Sequence, residues 1–418
     1  MSRHALRRFF GSLGPGLVTG AADDDPSGIT TYSIAGAQHG MALLWTAWLT
    51  WPMMAAVQLV CARIGMVTGQ GLMAALRRKF PGSVVRVLAL LLLFVNTLNV
   101  AADLAGMGDA ANMLTGAPAL IWVFVFGVAI AGGAIRLRYV VFERVLKWLT
   151  LVLFAYVVDA LYIGGDWSKI LTATFVPSFP SLRDHALWTA LVAVLGTTIS
   201  PYLFFWQTSQ EVEEEKALGR RTTAERHGMT AGAFAVRTRD VGIGTFFSNL
   251  VMFFIILTTA LTLHAHGVSI ETSRQAAEAL RPLAGPLAAL LYTLGIIGTG
   301  ALAIPIMSGS AAYVLAETFD WPQGIDERLR GAPAFYGVMT PSIALGMMLN
   351  FAGLNPIKAM YWTAVVNGLL APIVLIAILI VAADRTVMRA QPATAWQWWA
   401  VAVTAVVMTV AAVGMFVL

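Results

Sequence analysis

Cysteine is nearly absent from this sequence, and charge is scarce. Cys61 is the sole cysteine, so no intramolecular disulfide and no thiolate metal cluster can form, and redox chemistry is not expected. Asp, Glu, Lys and Arg make up 12% of the 418 residues, against roughly a quarter in soluble domains. With 58% of the residues hydrophobic, a water-soluble fold would carry more apolar surface than its interior could hide. Also missing are any low-complexity tract, any soluble-domain stretch, and any paired His-Glu motif or Ser/His constellation within the apolar runs. No enzymatic activity and no cofactor are therefore expected.

What fills the chain instead is long apolar runs. A helix needs about 20 apolar residues to cross a bilayer core. Eleven candidates recur, at 12–40, 42–66, 86–109, 118–135, 145–164, 186–209, 241–263, 284–315, 335–352, 357–382 and 396–418. Hydrocarbon cannot satisfy a stray backbone, so spans are helices or a closed barrel, and runs this continuous lack a barrel's alternation. The fold class is all-α integral membrane, with the lipid bilayer as its first partner.

Positive residues are retained on the cytoplasmic side. With the N-terminus inside, all 27 Lys and Arg fall in cytoplasmic segments except Lys169, Arg183, Arg274, Arg281 and Lys358. That asymmetry predicts an odd number of spans and a cytoplasmic N-terminus, in a multi-pass protein of a bacterial inner membrane. The net charge of +5 follows from topology and implies no nucleic-acid partner. Residues 1–10 are basic, but no trustworthy cleavage pattern follows, so the first run reads as a retained span. The one long polar region, 210–240, opens with Glu211, Glu213, Glu214 and Glu215. It reads as a cytoplasmic loop whose acidic start is a solvated extension of the sixth span, favoured over an ion-binding patch. His264 and His266, just outside span seven, read as surface residues.

Secondary transporters are often two inverted halves, marked by Gly/Pro-interrupted spans at corresponding places. Span one carries Asp25-Pro26-Ser27-Gly28, and span six carries Thr197-Thr198-Ile199-Ser200-Pro201. Proline removes an amide donor and clashes with the preceding turn, while glycine tolerates unusual torsions. Each break should unwind a turn in mid-membrane. Unwound carbonyls, together with the partly negative C-terminal end of a half-helix, can coordinate a cation when two breaks face each other. A lone break would read as a kink repaired by neighbouring helices; the paired breaks and the adjoining acid favour an ion site. The implied organisation is two five-span halves, 1–165 and 166–390, with 391–418 an additional eleventh span.

A carboxylate at membrane depth costs at least about 2.5 kcal/mol, so it marks a functional site by default. Successive helical residues point about 100° apart, so Asp23, Asp24 and Asp25 cannot all face one ion. Asp25, beside the break, is the expected ligand; Asp24 and Asp23 are left between lining the approach and capping the helix. Asp103 in span three is a second intramembrane acid, open between proton relay, charge balance and backbone hydrogen bonding. Asn96 and Asn99 on the same helix either hydrate the cavity or bond between helices.

Gly14-Pro15-Gly16, the broken Asp25-Pro26-Ser27-Gly28 and the span-six Thr197-Thr198-Ile199-Ser200-Pro201 resemble the Nramp family of divalent metal transporters. The likeness extends over the first ten spans in number and orientation. It implies a LeuT-like 5+5 inverted repeat with broken helices 1 and 6, here plus an eleventh transmembrane helix. It also implies import of manganese and iron(II), generally with protons. The family's Asp-Pro-Gly-Asn motif falls on Asp25, Pro26, Ser27 and Gly28, so its metal-binding aspartate matches Asp25 and its asparagine is replaced by Gly28. The binding methionine falls on Ser200 and the following histidine on Tyr202. Backbone carbonyls would come from Ala22 and Thr197, and a polar span-ten ligand matches Asn367 loosely. In span three the family aspartate matches Asp103, and a second acid is replaced by Gly106.

These departures have chemical consequences. Losing the thioether removes the soft ligand that favours manganese, iron or cadmium over hard ions. Oxygen ligands in a roomier site suit Mg²⁺, which gives up its waters reluctantly. Tyr202 and Gly106 strip two proton-relay groups. The pattern resembles the Nramp-related magnesium transporters, implying import of Mg²⁺ and/or Mn²⁺ by alternating access without proton coupling. A proton-coupled Mn²⁺/Fe²⁺ symporter is the first alternative. An amino-acid or organic-solute symporter of the same fold is the second, disfavoured because Asp25 would repel a substrate carboxylate.

Overall fold

The computed structural model describes residue 20 and residues 22–136, 151–178 and 183–417. Among these residues all regular structure is helical. Numbered in chain order, the membrane helices are α1 (Pro26–His39), α2 (Trp45–Thr68), α3 (Gly82–Thr115), α4 (Ala119–Arg136), α5 (Phe154–Ile163) and α6 (His185–Thr198). They continue with α7 (Pro201–Ala217), α8 (Ala231–Thr262), α9 (Ala288–Phe319), α10 (Pro333–Leu349), α11 (Pro356–Ala383) and α12 (Ala395–Val417). Among the described residues, nine helical stretches are long and apolar enough to cross a bilayer, with α6 and α7 counting as one. The other two expected spans are the first and the fifth. The front of span one, with Gly14-Pro15-Gly16, Arg3, Arg7 and Arg8, lies outside the described residues. So do residues 145–150 of span five, with Arg138, Arg144 and Lys147, whereas 151–163 form a shorter apolar helix.

Both breaks fall where proline and its neighbours place them. Gly20, Ala22 and Asp23 are helical, Asp24 bends, and Asp25 is extended (φ −68, ψ 169). Helix α1 then restarts at Pro26, whose missing N–H is one of the amides that have no partner inside a helix anyway. In span six, Ile199 leaves the helix, Ser200 is extended (φ −79, ψ 132), and α7 restarts at Pro201.

Small residues bring the helices around these breaks together, as packing in lipid requires. A Cβ at Gly36 on α1 would run into Thr259 Oγ1 and the Ile256 carbonyl of α8. One at Gly196 on α6 would meet the Ala364 carbonyl and the Gly368 backbone of α11. Helices α3 and α9 form the most extensive pair behind them.

The polar stretch 210–240 has the expected helical start but holds a shorter loop than expected. Helix α7 continues to Ala217 and α8 already begins at Ala231. The acidic start is the expected extension of span six but is only partly solvated: Glu214 is exposed, whereas Glu211 is not. Glu211 is buried and paired to Arg237 Nε at 2.6 Å, and Arg237 also holds Asp240 at 2.7 Å and Glu214. A carboxylate this buried needs a cation beside it, and the next helix supplies one. On the same face, Arg77 pairs with Asp320 and Lys79 with Asp384, each at 2.6 Å. The hydrogen bond from Lys79 holds the Asp384 carboxyl well below the usual carboxylate range. His264 meets the Ala37 carbonyl at 3.0 Å and His266 the Thr262 carbonyl at 2.6 Å, both beside helix ends.

Candidate functional site

The two breaks face each other across the centre of the bundle. The Tyr202 hydroxyl, from the first turn of α7, lies 3.2 Å from the Ala22 carbonyl and 3.2 Å from Asp25 Oδ2. Next to it, the hydroxyls of Tyr32 on α1 and Thr198 on α6 meet at 3.0 Å. Ala22, Asp25, Thr197, Ser200 and Tyr202 are all buried. The other Asp25 oxygen accepts the Gly28 amide at 2.6 Å, which caps α1 and fixes the carboxylate's direction.

Gly28 leaves a gap at the centre of this arrangement. A Cβ there would sit 3.1 Å from the Asp23 carbonyl, 3.2 Å from Thr197 Oγ1 and 3.3 Å from Asp25 Oδ1. Three oxygens from both breaks thus converge on a point where this chain has no side chain. Ser200 Oγ donates back to the carbonyls of Gly196 and Thr197, each at 2.8 Å. Its proton is spent there, which leaves its lone pairs as acceptors. Thr197, expected to contribute its carbonyl, therefore also presents a hydroxyl to the gap. No group of three or more His, Cys, Asp or Glu among the described residues is placed to hold a metal. What converges is one carboxylate with carbonyl and hydroxyl oxygens, a hard donor set.

Asp103 reaches the break from α3. Its Oδ1 accepts from Ser27 N at 3.2 Å and from Ser27 Oγ at 2.6 Å, while Oδ2 is buried without a hydrogen bond. Asp23 and Asp24 turn toward α8, where Ser248 Oγ lies 2.7 Å from Asp23 Oδ2 and 3.3 Å from Asp24 Oδ1. Among the described residues no ion pair involves Asp23, Asp24, Asp25 or Asp103.

Two expected residues are engaged elsewhere. Asn367 on α11 and Asn99 on α3 bond each other reciprocally, at 3.0 and 3.2 Å. Asn96 donates to the Met307 carbonyl at 3.1 Å. Both asparagines of this helix thus make interhelical hydrogen bonds. A Cβ at Gly106 would press on Met360 Sδ at 2.5 Å, so α11 fills the room that an acid there would need. Sequence reasoning missed Ser248, and also the Thr50–Asn249 bond of 2.6 Å behind it. Adjacent Ser248 and Asn249 in an otherwise apolar span were the available signal.

Paired half-helices that face each other across an all-helical membrane bundle define a secondary transporter of the LeuT-like inverted-repeat fold. The family model described as "Natural resistance-associated macrophage protein-like" matches residues 16–418, and the chain belongs to the Nramp family of transporters. It is similar to a protein named divalent metal cation transporter MntH from Caldanaerobacter subterraneus, 22% identical over 401 residues that cover 92% of this chain and 87% of that one. Among solved structures, the fold matches the Eremococcus coleocola manganese transporter with TM-score 0.73 at 14% identity, covering 99% of this chain and 87% of that one. It also matches MhsT in complex with L-phenylalanine with TM-score 0.58 at 16% identity, covering 95% and 98%.

Proposed function

We propose that this transporter imports divalent metal cations, Mg²⁺ and Mn²⁺, by alternating access and without coupled protons. The carrying observation is the gathering of oxygens from both breaks around Asp25: its Oδ2 and the Ala22 carbonyl meet at the Tyr202 hydroxyl, while its Oδ1, the Asp23 carbonyl and Thr197 Oγ1 surround Gly28. Asp25 supplies the charge. Ala22 and Thr197 supply neutral oxygens, and Ser200 binds directly or through water. Asn367 joins only if its pair with Asn99 opens. An ion that keeps several waters suits a set of oxygen donors that includes no sulfur. Membership of a family whose similar member is named a divalent metal cation transporter supports the substrate class.

Alternating access needs two moving parts. One helix bundle rocks against a scaffold, within the two halves 1–165 and 166–390 that are each opened by a broken span, in a bacterial inner membrane with the N-terminus inside. The organic-solute alternative is disfavoured by a specific contact pattern. A substrate carboxylate would use the free amides at the start of a half-helix, but Ser27 N is held by Asp103 and Gly28 N by Asp25. The proton-coupled alternative rests on Asp103, a buried acid with one oxygen unbonded.

Purified protein in liposomes, loaded with a pH dye, separates these readings. Mg²⁺ and Mn²⁺ uptake without acidification, abolished by Asp25→Ala, is the expected result. Unchanged uptake in that variant would remove Asp25 from the site, and acidification that tracks Mn²⁺ would establish the proton-coupled mechanism.

A further inference from the structure

The Tyr202 hydroxyl stands on the two oxygens that a cargo ion would need. It is 3.2 Å from both the Ala22 carbonyl and Asp25 Oδ2. A phenol has one proton to give, so it shares that proton between two acceptors, at distances longer than the usual O–H···O value of about 2.7–2.8 Å. Rigid parts hold it there. Tyr202 is fully buried, it follows the proline that starts α7, and Ser310 Oγ on α9 donates to its backbone carbonyl at 2.9 Å. A divalent ion bound to the same oxygens sits about 2.0–2.6 Å from each, facing the positive end of this O–H dipole. The proton and the cation therefore compete for one pair of ligands.

We propose that Tyr202 is a built-in competitor for the cargo. Its hydroxyl bridges the two breaks where a cation would, and an incoming ion must displace it before closing on Ala22 and Asp25. The inference rests on Asp25 being an ion ligand. Two consequences follow. Because the cost of displacement is the same whatever the ion, Tyr202 lowers affinity for all divalents alike and does not rank them. And because the hydroxyl ties span one to span six, the tie is released only when the site is loaded.

The test is Tyr202→Phe in the full-length protein, with Mg²⁺ and Mn²⁺ binding measured by titration calorimetry beside wild type and Asp25→Ala. Expected is a Kd lowered about three- to tenfold for both ions by a common factor, the worth of weak bonds to a charged acceptor. An unchanged Kd, a weaker one, or a changed ratio between the ions overturns the inference; weakening would mark Tyr202 as a ligand through its lone pairs. If Asp25→Ala binds as wild type does, the functional reading itself fails and this inference with it. If Asp25→Ala loses binding while Tyr202→Phe does not tighten, only this inference fails. Should Tyr202→Phe misfold, the infrared tyrosine C–O band of wild type during Mg²⁺ titration decides. A shift absent in Asp25→Ala supports displacement, and a band that does not move overturns it.

Discussion

At the scale of single residues, the site is shaped as much by what Gly28 leaves out as by what Asp25 brings. Any side chain at 28 begins within 3.3 Å of three oxygens, where it would crowd a hydrated cargo ion. Gly28→Ala should therefore fold normally and lower Mg²⁺ uptake on the order of tenfold, with a smaller loss for Mn²⁺, which sheds water more readily. Parallel uptake assays check this, and equal losses for the two ions would argue against a hydrated cargo. Ser27 has a different task. Its hydroxyl gives Asp103 its shortest bond, 2.6 Å, so Ser27→Ala should destabilise the protein by roughly 1–3 kcal/mol, the cost of leaving a buried polar group short of its partner. Thermal unfolding in detergent would show it. The break beside Asp25 was legible in the sequence because proline's effect on a helix is local, and a buried acid there made Asp25 the candidate ligand. Ser248 was less so: the Ser248-Asn249 pair marks span seven as polar there, but its partners Asp23 and Asp24 lie some 225 residues away in sequence and only the fold brings them together.

At the scale of helices, the sequence marked the breaks and most of the spans, because proline chemistry and apolar length are local properties. Pairings are not local. The Asn99–Asn367 bond joins residues 268 apart, and Arg237 reaches Glu211 from the next span; neither follows from periodicity. Arg237 is the test of that second contact. Arg237→Ala leaves Glu211 buried without its cation and should cost roughly 3–5 kcal/mol. The double substitution Arg237→Ala with Glu211→Gln should recover part of the loss, and a thermal-shift comparison of the three variants checks it. Gly196 probes the α6–α11 seam. An added methyl meets backbone atoms of Ala364 and Gly368 that have no rotamer to yield. Gly196→Ala should thus cost roughly 1–3 kcal/mol, while Gly337→Ala, with nothing near its Cβ, should behave as wild type.

At the scale of the whole molecule, charge placement and contact geometry meet on one face. The charge asymmetry assigns the ends of spans two, six, eight and ten, and the starts of three and seven, to a single side. The structure joins those segments directly, through Arg77–Asp320, Lys79–Asp384 and Arg237 with Glu211 and Glu214. Which side is cytoplasmic follows from the retention of positive residues, and that step is open to a direct test. Cys61 is buried, so a membrane-impermeant thiol reagent should leave wild type unlabelled in intact cells. Leu218, just past α7, is 74% exposed, and Phe351, just past α10, is 70% exposed; odd and even span counts put them on opposite sides. Phe351→Cys should label from outside in intact cells, and Leu218→Cys only after the membrane is opened. The reverse pattern would invert the topology, and with it the direction from which a cation first meets Asp25.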